Sequence, residues 1–374
     1  MKQLRVPTPS RLRPLLRVLT SLRLRPSLRV LTSLGLRPFL CILCTLCVLC
    51  ACIKGSDAAD TKAANLEALW TLIDEHYCFF DYKQQQLGLD WNAIHGKYAA
   101  QVSEGMTNQQ LFEVMTNMLA ELKDGHVNLG ASFDYARNWS YFEDYPLNYN
   151  DSIVQATYLG TGYRIASGIN YRILDDNIGY MRIPSFSTSI GDGNVSVALS
   201  EMALCDGLII DVRSNGGGKI THAHTLASHF INERTLIGYA SHKTGTGHSD
   251  LSAPKAEYLD PASDGIRWQK PCVVLTNRQC YSATNDFVKC MKTAPRCTVM
   301  GDPTGGGSGM PFTSELPNGW SVRYSAVIYY DRDMQHIEFG IQPDIPLQMS
   351  GTETGQGKDT YIEKAREYLK KNSL

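Results

Sequence analysis

Apolar positions recur at helical spacing in the first part of the chain, and the pattern changes to strand–helix alternation further on. From about Asn65, the residues Leu66, Leu69, Trp70, Ile73 and Tyr77 mark one face of an amphipathic helix. A second stripe, Leu111, Val114, Met115, Met118, Leu119 and Leu122, runs straight into Lys123-Asp124-Gly125-His126. Asp124-Gly125 reads as the stop, with Gly125 free to take the left-handed conformation that closes a helix. His126 then emerges just past the end, on a fixed scaffold. Phe133 to about Tyr171 is rich in Tyr, Asn, Asp and Gly, and reads as a connection with short strands, one of them Ser152–Tyr158. Next come strand Ile178–Ile183, a helix near Val195–Leu204, strand Gly207–Val212, helix Lys219–Asn232, strand Cys272–Thr276 and a helix from about Ala283. This order predicts an α/β core with a partly parallel sheet, preceded by a small helical N-terminal domain. Trp320–Tyr330 reads as a hairpin partner of Phe312–Leu316, and Asp359–Lys371 as a charged amphipathic helix.

Candidate chemistry gathers at the ends of the core strands. Ser282 falls on the polar turn between strand Cys272–Thr276 and its helix, at a sheet's carboxyl edge, where open α/β folds hold their ligands. The same position suits a helix cap, with the hydroxyl accepting a backbone N–H. Strand Gly207–Val212 likewise runs into Asn215 and Gly216-Gly217-Gly218, whose N–H groups can turn towards a carbonyl oxygen as an oxyanion hole does; an ordinary flexible loop reads the same way. His126 is either a general base or a loop histidine. His222 and His224 lie on a predicted helix where i and i+2 do not face together, so no metal is expected there. HExxH, a P-loop and GxSxG are all missing, which removes the zincin, nucleotide-hydrolase and ordinary α/β-hydrolase readings.

Composition changes this picture mainly at the start of the chain. The 374 residues are 43% hydrophobic and 20% charged, an ordinary globular balance. Residues 1–52 hold nine of the 36 basic residues and none of the 37 acidic ones, so the remainder carries about ten net negative charges. An acidic mature chain argues against a nucleic-acid partner. The twelve-residue repeat at Arg11–Leu22 and Arg23–Leu34 is too short for a solenoid, and Phe39–Ala51 has the length of a signal-peptide apolar region. Leu49-Cys50-Ala51-Cys52 resembles a bacterial lipoprotein signal, which implies lipidation at Cys52 and a membrane anchor in a Gram-negative cell envelope; a plain secretory signal or an uncleaved anchor is the alternative. Residues 53–64 then serve as a tether. Beyond it, Cys205 and Cys272 read as core residues, while Cys290 and Cys297 are close enough in sequence to bridge.

Five blocks together resemble the tail-specific, or C-terminal processing, serine peptidases: LKDGHV (Leu122–Val127), LIIDVRSNGGG (Leu208–Gly218), VVLTNRQCYSATNDF (Val273–Phe287), GDPTGGG (Gly301–Gly307) and IEFGIQPDI (Ile337–Ile345). They occur in that family's order, across roughly Leu66 to Leu347. The resemblance implies a crotonase-like, ClpP-like core over 172–350 and a helical domain over 65–135. It also implies serine catalysis on polypeptide substrates with no cofactor or metal. One branch of the family uses a lysine base about twenty-five residues after the serine, but no lysine stands between Lys292 and Lys358. The tricorn-like branch is the better match, implying Ser282 as nucleophile, His126 as base and Glu338 in support, with oxyanion donors at Ala283 and at Gly217 or Gly216. Glu338 also reads as a surface carboxylate on a strand Gln335–Ile341. That branch has a serine relay where Gly125 stands, and many relatives have an acid where Asn285 stands. The family often inserts a PDZ module, for which the connecting segment 136–171 leaves no room. A non-catalytic binding protein on the same fold is the alternative function. The TGGGSG loop, Thr304–Gly309, reads as a mobile wall beside the serine.

Overall fold

Residues 60–263 and 265–372 are described in a computed structural model; Cys52, the leader and most of the tether lie outside them. Helix Lys62–His76 starts where the Thr61 hydroxyl accepts the Ala64 N–H, and helix Asn108–Ala120 starts with a Thr107–Gln110 capping box. Their apolar faces do not form a core alone. Leu66, Leu69, Ile73, Met115 and Leu119 share one buried cluster with Val322, Tyr324 and Ile328, far along the chain. Each such side chain contributes about 1.5–3 kcal/mol when fully buried, which ties the helical front to an antiparallel sheet.

That sheet runs in the order Tyr135–Arg137, Asn128–Gly130, Ser321–Tyr330, Thr235–His242 and Lys255–Leu259, with Gly309–Glu315 also paired to Ser321–Tyr330. The last pairing is the predicted hairpin. A second, seven-stranded sheet runs Ile345–Pro346, Cys297–Gly301, Cys272–Thr276, Gly207–Asp211, Ile178–Arg182, Ile169–Ile173 and Arg164–Ala166. Its first five strands are parallel and its last two antiparallel additions. Leu208, Ile210 and Val274 face a cluster with helices Asp192–Glu201, Ile220–Ser228 and Ala283–Met291. Ile209, Val273 and Leu275 face Tyr361, Ile362, Ala365 and Leu369 of helix Thr360–Asn372. Burial on both faces is why these strands read as unbroken apolar runs.

Four local expectations are corrected. The stretch expected as strand Ser152–Tyr158 is helical, Asp151–Ile153 continuing into a π-helical turn Val154–Leu159. Its buried residues Val154, Tyr158 and Leu159 are spaced for one helical face, so packing overrides the β-branched composition. Glu338 lies on no strand: after a single bridge at His336 the chain turns through Gly340 at φ +107°. The left-handed residue before His126 is Lys123 at φ +50°, not Gly125. Gly125 is instead confined by neighbours, since an added Cβ would meet the Tyr281 hydroxyl at 2.9 Å and Tyr141 at 3.0 Å. Finally, Cys290 and Cys297 are both free thiols, and the residue across from Cys297 is Cys272 on the adjacent strand.

Candidate active site

Strand Cys272–Thr276 delivers a turn stitched to its neighbour: Ser214 donates its N–H to Asn277 Oδ1 at 2.8 Å, and Tyr281 donates its own to Asn215 O at 3.2 Å. The turn ends at Ser282, held at φ +59°, ψ −122°. A β-carbon residue there costs on the order of 1–3 kcal/mol, which surrounding structure must offset. The Ser282 N–H bonded to Gly306 O at 2.9 Å is one such restraint. The hydroxyl makes no capping bond to its helix. It lies instead 2.9 Å from His126 Nε2.

His126 reaches that point from the other sheet, between the helical front and strand Asn128–Gly130. Asp124 fixes the bend by accepting the His126 N–H at 2.7 Å on Oδ1, and the Tyr77 and Ser325 hydroxyls, each at 3.0 Å, on Oδ2. Burial opposes charge on Asp124, but Lys83, His126 and these bonds together hold its carboxyl below the usual range. The Tyr281 ring packs edge-on against the imidazole, with centroids 5.0 Å apart, and stacks on Tyr141 at 4.0 Å. Burial pushes the imidazole down to about 4, helped by the positive charges of Arg323 and Arg137 and opposed by Asp124. A neutral imidazole keeps an acceptor lone pair at Nε2 at ordinary pH.

The other sequence-derived residues are placed less simply. The Ala283 N–H, at the first turn of its helix, has no acceptor among the described residues, and neither do those of Gly216 and Gly218. Gly217 sits against the serine, where an added Cβ would meet Ser282 Cβ at 2.9 Å, but its N–H is already given to Asn215 Oδ1 at 2.9 Å. Glu338 is buried yet makes no hydrogen bond to the imidazole, whose Nδ1 is buried without a partner among the described residues. Gly125 supplies no hydroxyl to link them. Instead Glu338 Oε2 accepts the Ser308 N–H at 2.8 Å and Oε1 lies 3.4 Å from the buried Lys83 ammonium. Burial and the charge of Asp124 raise the Glu338 carboxyl to about 7. The TGGGSG loop is a wall beside Ser282 as expected, but a pinned one: Thr304–Ser308 are buried and bonded to Ser282, Asn285 and Glu338. Asn285, fully buried, binds Thr304 Oγ1 and Ile337 O at 2.6 and 3.1 Å.

Sequence reasoning passed over Lys83, Tyr281 and Arg323. Only Arg323 left a signal, as a charge amid the alternating apolar positions of Ser321–Tyr330. The structure also groups His224, Asp286 and Cys290 with ligand atoms within 4.8 Å of one another. Lys289 occupies the other Asp286 oxygen at 2.6 Å, and a fixed ammonium there opposes a divalent cation.

A serine on a strained strand-to-helix turn, bonded to a neutral histidine beside unoccupied N–H donors, is the geometry of nucleophilic serine hydrolases. Residues 177–347 match Peptidase family S41, and residues 58–120 match the Tricorn protease C1 domain. A putative peptidase from Parabacteroides merdae, known from its crystal structure, is 48% identical with a TM-score of 0.79, over 83% of this chain and 97% of that one. This chain belongs to peptidase family S41. The structure of mature CPAF complexed with lactacystin shares the fold, with a TM-score of 0.64 over 84% of this chain and 98% of that one at 13% identity. The carboxyl-terminal-processing protease of Synechocystis is 28% identical over 179 residues, 46% of this chain and 39% of that protein. A Bacillus subtilis carboxy-terminal processing protease is 26% identical over 177 residues, 47% of this chain and 36% of that one. The match thus spans well under half the length of these curated relatives.

Proposed function

We propose that this chain is a serine endopeptidase that hydrolyses polypeptides through an acyl-enzyme, with Ser282 as nucleophile and His126 as general base. The observation that carries the reading is the 2.9 Å contact of His126 Nε2 with Ser282 Oγ. His126 takes the hydroxyl proton as Oγ adds to the peptide carbonyl carbon, then gives it to the departing amine; water repeats the sequence to release the acid. The oxyanion is met by the Ala283 N–H together with that of Gly216 or Gly218, and losing one such donor costs roughly 3 kcal/mol of barrier. Glu338 acts on the wall that carries Ser308 and not on the imidazole directly. The similarity to carboxyl-terminal-processing proteases supports polypeptide substrates.

The test is labelling of the purified protein with a fluorophosphonate, the modified residue being located by mass spectrometry. Label on Ser282 that disappears in both Ser282→Ala and His126→Ala is the expected result. Label indifferent to His126 removes it as the base. We also place the mature chain at a Gram-negative cell envelope through an acylated Cys52, supported by the Leu49–Cys52 pattern. Cells fed a clickable palmitate should label the wild type and not Cys52→Ala; an unlabelled wild type removes the anchor.

A further inference from the structure

A cavity of about 240 Å³ opens beside Ser282, between the glycine turn at Gly218 and strand Ser321–Tyr330. It has room for a substrate side chain. Ile220, Met310, Pro311 and Ile337 make its walls apolar, and Arg323 and Asp286 are its charged groups. These two charges are not equivalent. Asp286 Oδ1 lies 2.6 Å from Lys289 Nζ and Oδ2 lies 2.6 Å from His224 Nε2, so both oxygens are taken. Burial pushes the His224 pKa down, but its bond to Asp286, that carboxylate's charge and the neighbouring Cys290 together raise it by more, to about 10, so the imidazolium is charged at neutral pH.

Arg323 has no such match. Among the described residues its side chain makes one hydrogen bond, to a neutral acceptor, Asn128 Oδ1 at 3.2 Å, and no ion pair. The position is fixed by register, since Arg323 pairs with Asn128 on one side and Thr313 on the other. It alternates with the buried Val322 and Tyr324, so its side chain leaves the helical cluster for the cavity. The partly exposed guanidinium lines the cavity beside Ser282 with no carboxylate to face it, and its planar fork suits an incoming carboxylate with two parallel bonds.

We propose that this cavity is the subsite for a substrate carboxylate, bound by Arg323, so that cleavage falls beside an acidic side chain or a chain's own terminal carboxylate. The proposal rests on the serine-peptidase reading and names the substrate class for it. The apolar walls take the methylene stem, and Arg323 takes the charge at the end. Because Asp286 is already neutralised, it does not repel the incoming anion. Arg323 thereby acts as a specificity-determining residue and not as a participant in bond making.

The test uses the full chain and matched fluorogenic peptides carrying Glu, Gln, Leu or Lys next to the scissile bond, and a Gln peptide ending near that bond in either a free carboxylate or an amide. The expected result is a kcat/KM about 10- to 100-fold higher for one carboxylate-bearing member of a pair, the range of a charge-assisted bond gained or lost. A Glu-over-Gln preference identifies the side chain as the source, and a free-acid-over-amide preference identifies the terminus. In Arg323→Gln that ratio falls towards one, and in Arg323→Glu the Lys peptide becomes the better substrate. The wild-type ratios stand even if a variant does not fold. Equal rates across both pairs, in a protein whose Ser282 takes the fluorophosphonate, overturn the carboxylate subsite alone. A Ser282 that takes no label overturns the subsite and the peptidase reading together.

Discussion

Two buried carboxylates flank the serine and are treated in opposite ways. Asp286, one helical turn after Ser282, has a cation 2.6 Å from each oxygen, and although burial opposes it, these partners hold its carboxyl far below the usual range. Glu338, across the cavity wall, has one ammonium at the longer distance of 3.4 Å, and burial with the neighbouring Asp124 raises it to about 7. The saturated acid is a clamp whose charge is constant. In the under-supplied region around Asp124, Glu338 and Lys83 the shortage of counter-charge falls on Glu338, while the nearby imidazole is kept neutral by burial, with Arg323 and Arg137 assisting against the charge of Asp124. The difference suggests that structural and chemical acids can be told apart by how completely their oxygens are occupied.

The largest test of this contrast removes the single ammonium on the poor side. Lys83 is buried and also donates to Leu122 O at 2.7 Å and Lys123 O at 3.3 Å, so it closes the helical front onto the His126 bend. Lys83→Met leaves two buried carboxylates without a cation, for which the expected loss is about 3–5 kcal/mol in urea unfolding. A loss below 1 kcal/mol would show that Glu338 is already neutral and needs no partner.

A smaller effect is expected on the saturated side. His224→Ala leaves Lys289 in place on Asp286, and His224 is partly solvent-exposed, so the loss should be about 1 kcal/mol. Its pH dependence is the sharper measure. The folded pKa of about 10 lies above the ordinary value of 6.5, so this stabilisation is complete below about 6.5 and declines as pH rises through 10. The stability gap between wild type and variant should therefore shrink between pH 7 and 10; a gap that stays constant would assign it to packing.

Legibility followed locality. Strand Cys272–Thr276, its turn and its helix are written in consecutive residues, and the sequence places Ser282 at the sheet edge without reference to anything distant. The His126 environment is assembled from Tyr77, Lys83, Tyr281, Ser325 and Glu338, and no periodicity links positions so far apart. Gly125 shows the limit within a single residue. Its place in DGH suggested a left-handed cap, whereas the constraint is the Tyr281 ring, contributed by the other sheet. The Ser152–Tyr158 error is of the same kind: β-branched composition is local, and the buried face that makes the segment helical is not.

The least disruptive test concerns the imidazole itself. A base must be neutral to accept the serine proton, so with His126 as the proposed base activity is expected to fall as it is protonated, and the acid limb of kcat/KM reports the free enzyme's pKa. With burial the foremost cause of its depression to about 4, the limb is expected near pH 4 to 5, well below the ordinary 6.5. Arg137 is a subsidiary cause, its guanidinium 4.1 Å from the centre of the Trp139 ring and 5.6 Å from that of Tyr281. Arg137→Gln removes a like charge and should move the limb upward by only part of the distance to 6.5, because burial is untouched. Fluorophosphonate labelling rates from pH 4 to 8 give the same limb without a substrate. A wild-type limb at 6.5 would mean that water reaches His126 in solution and that burial does not set its protonation.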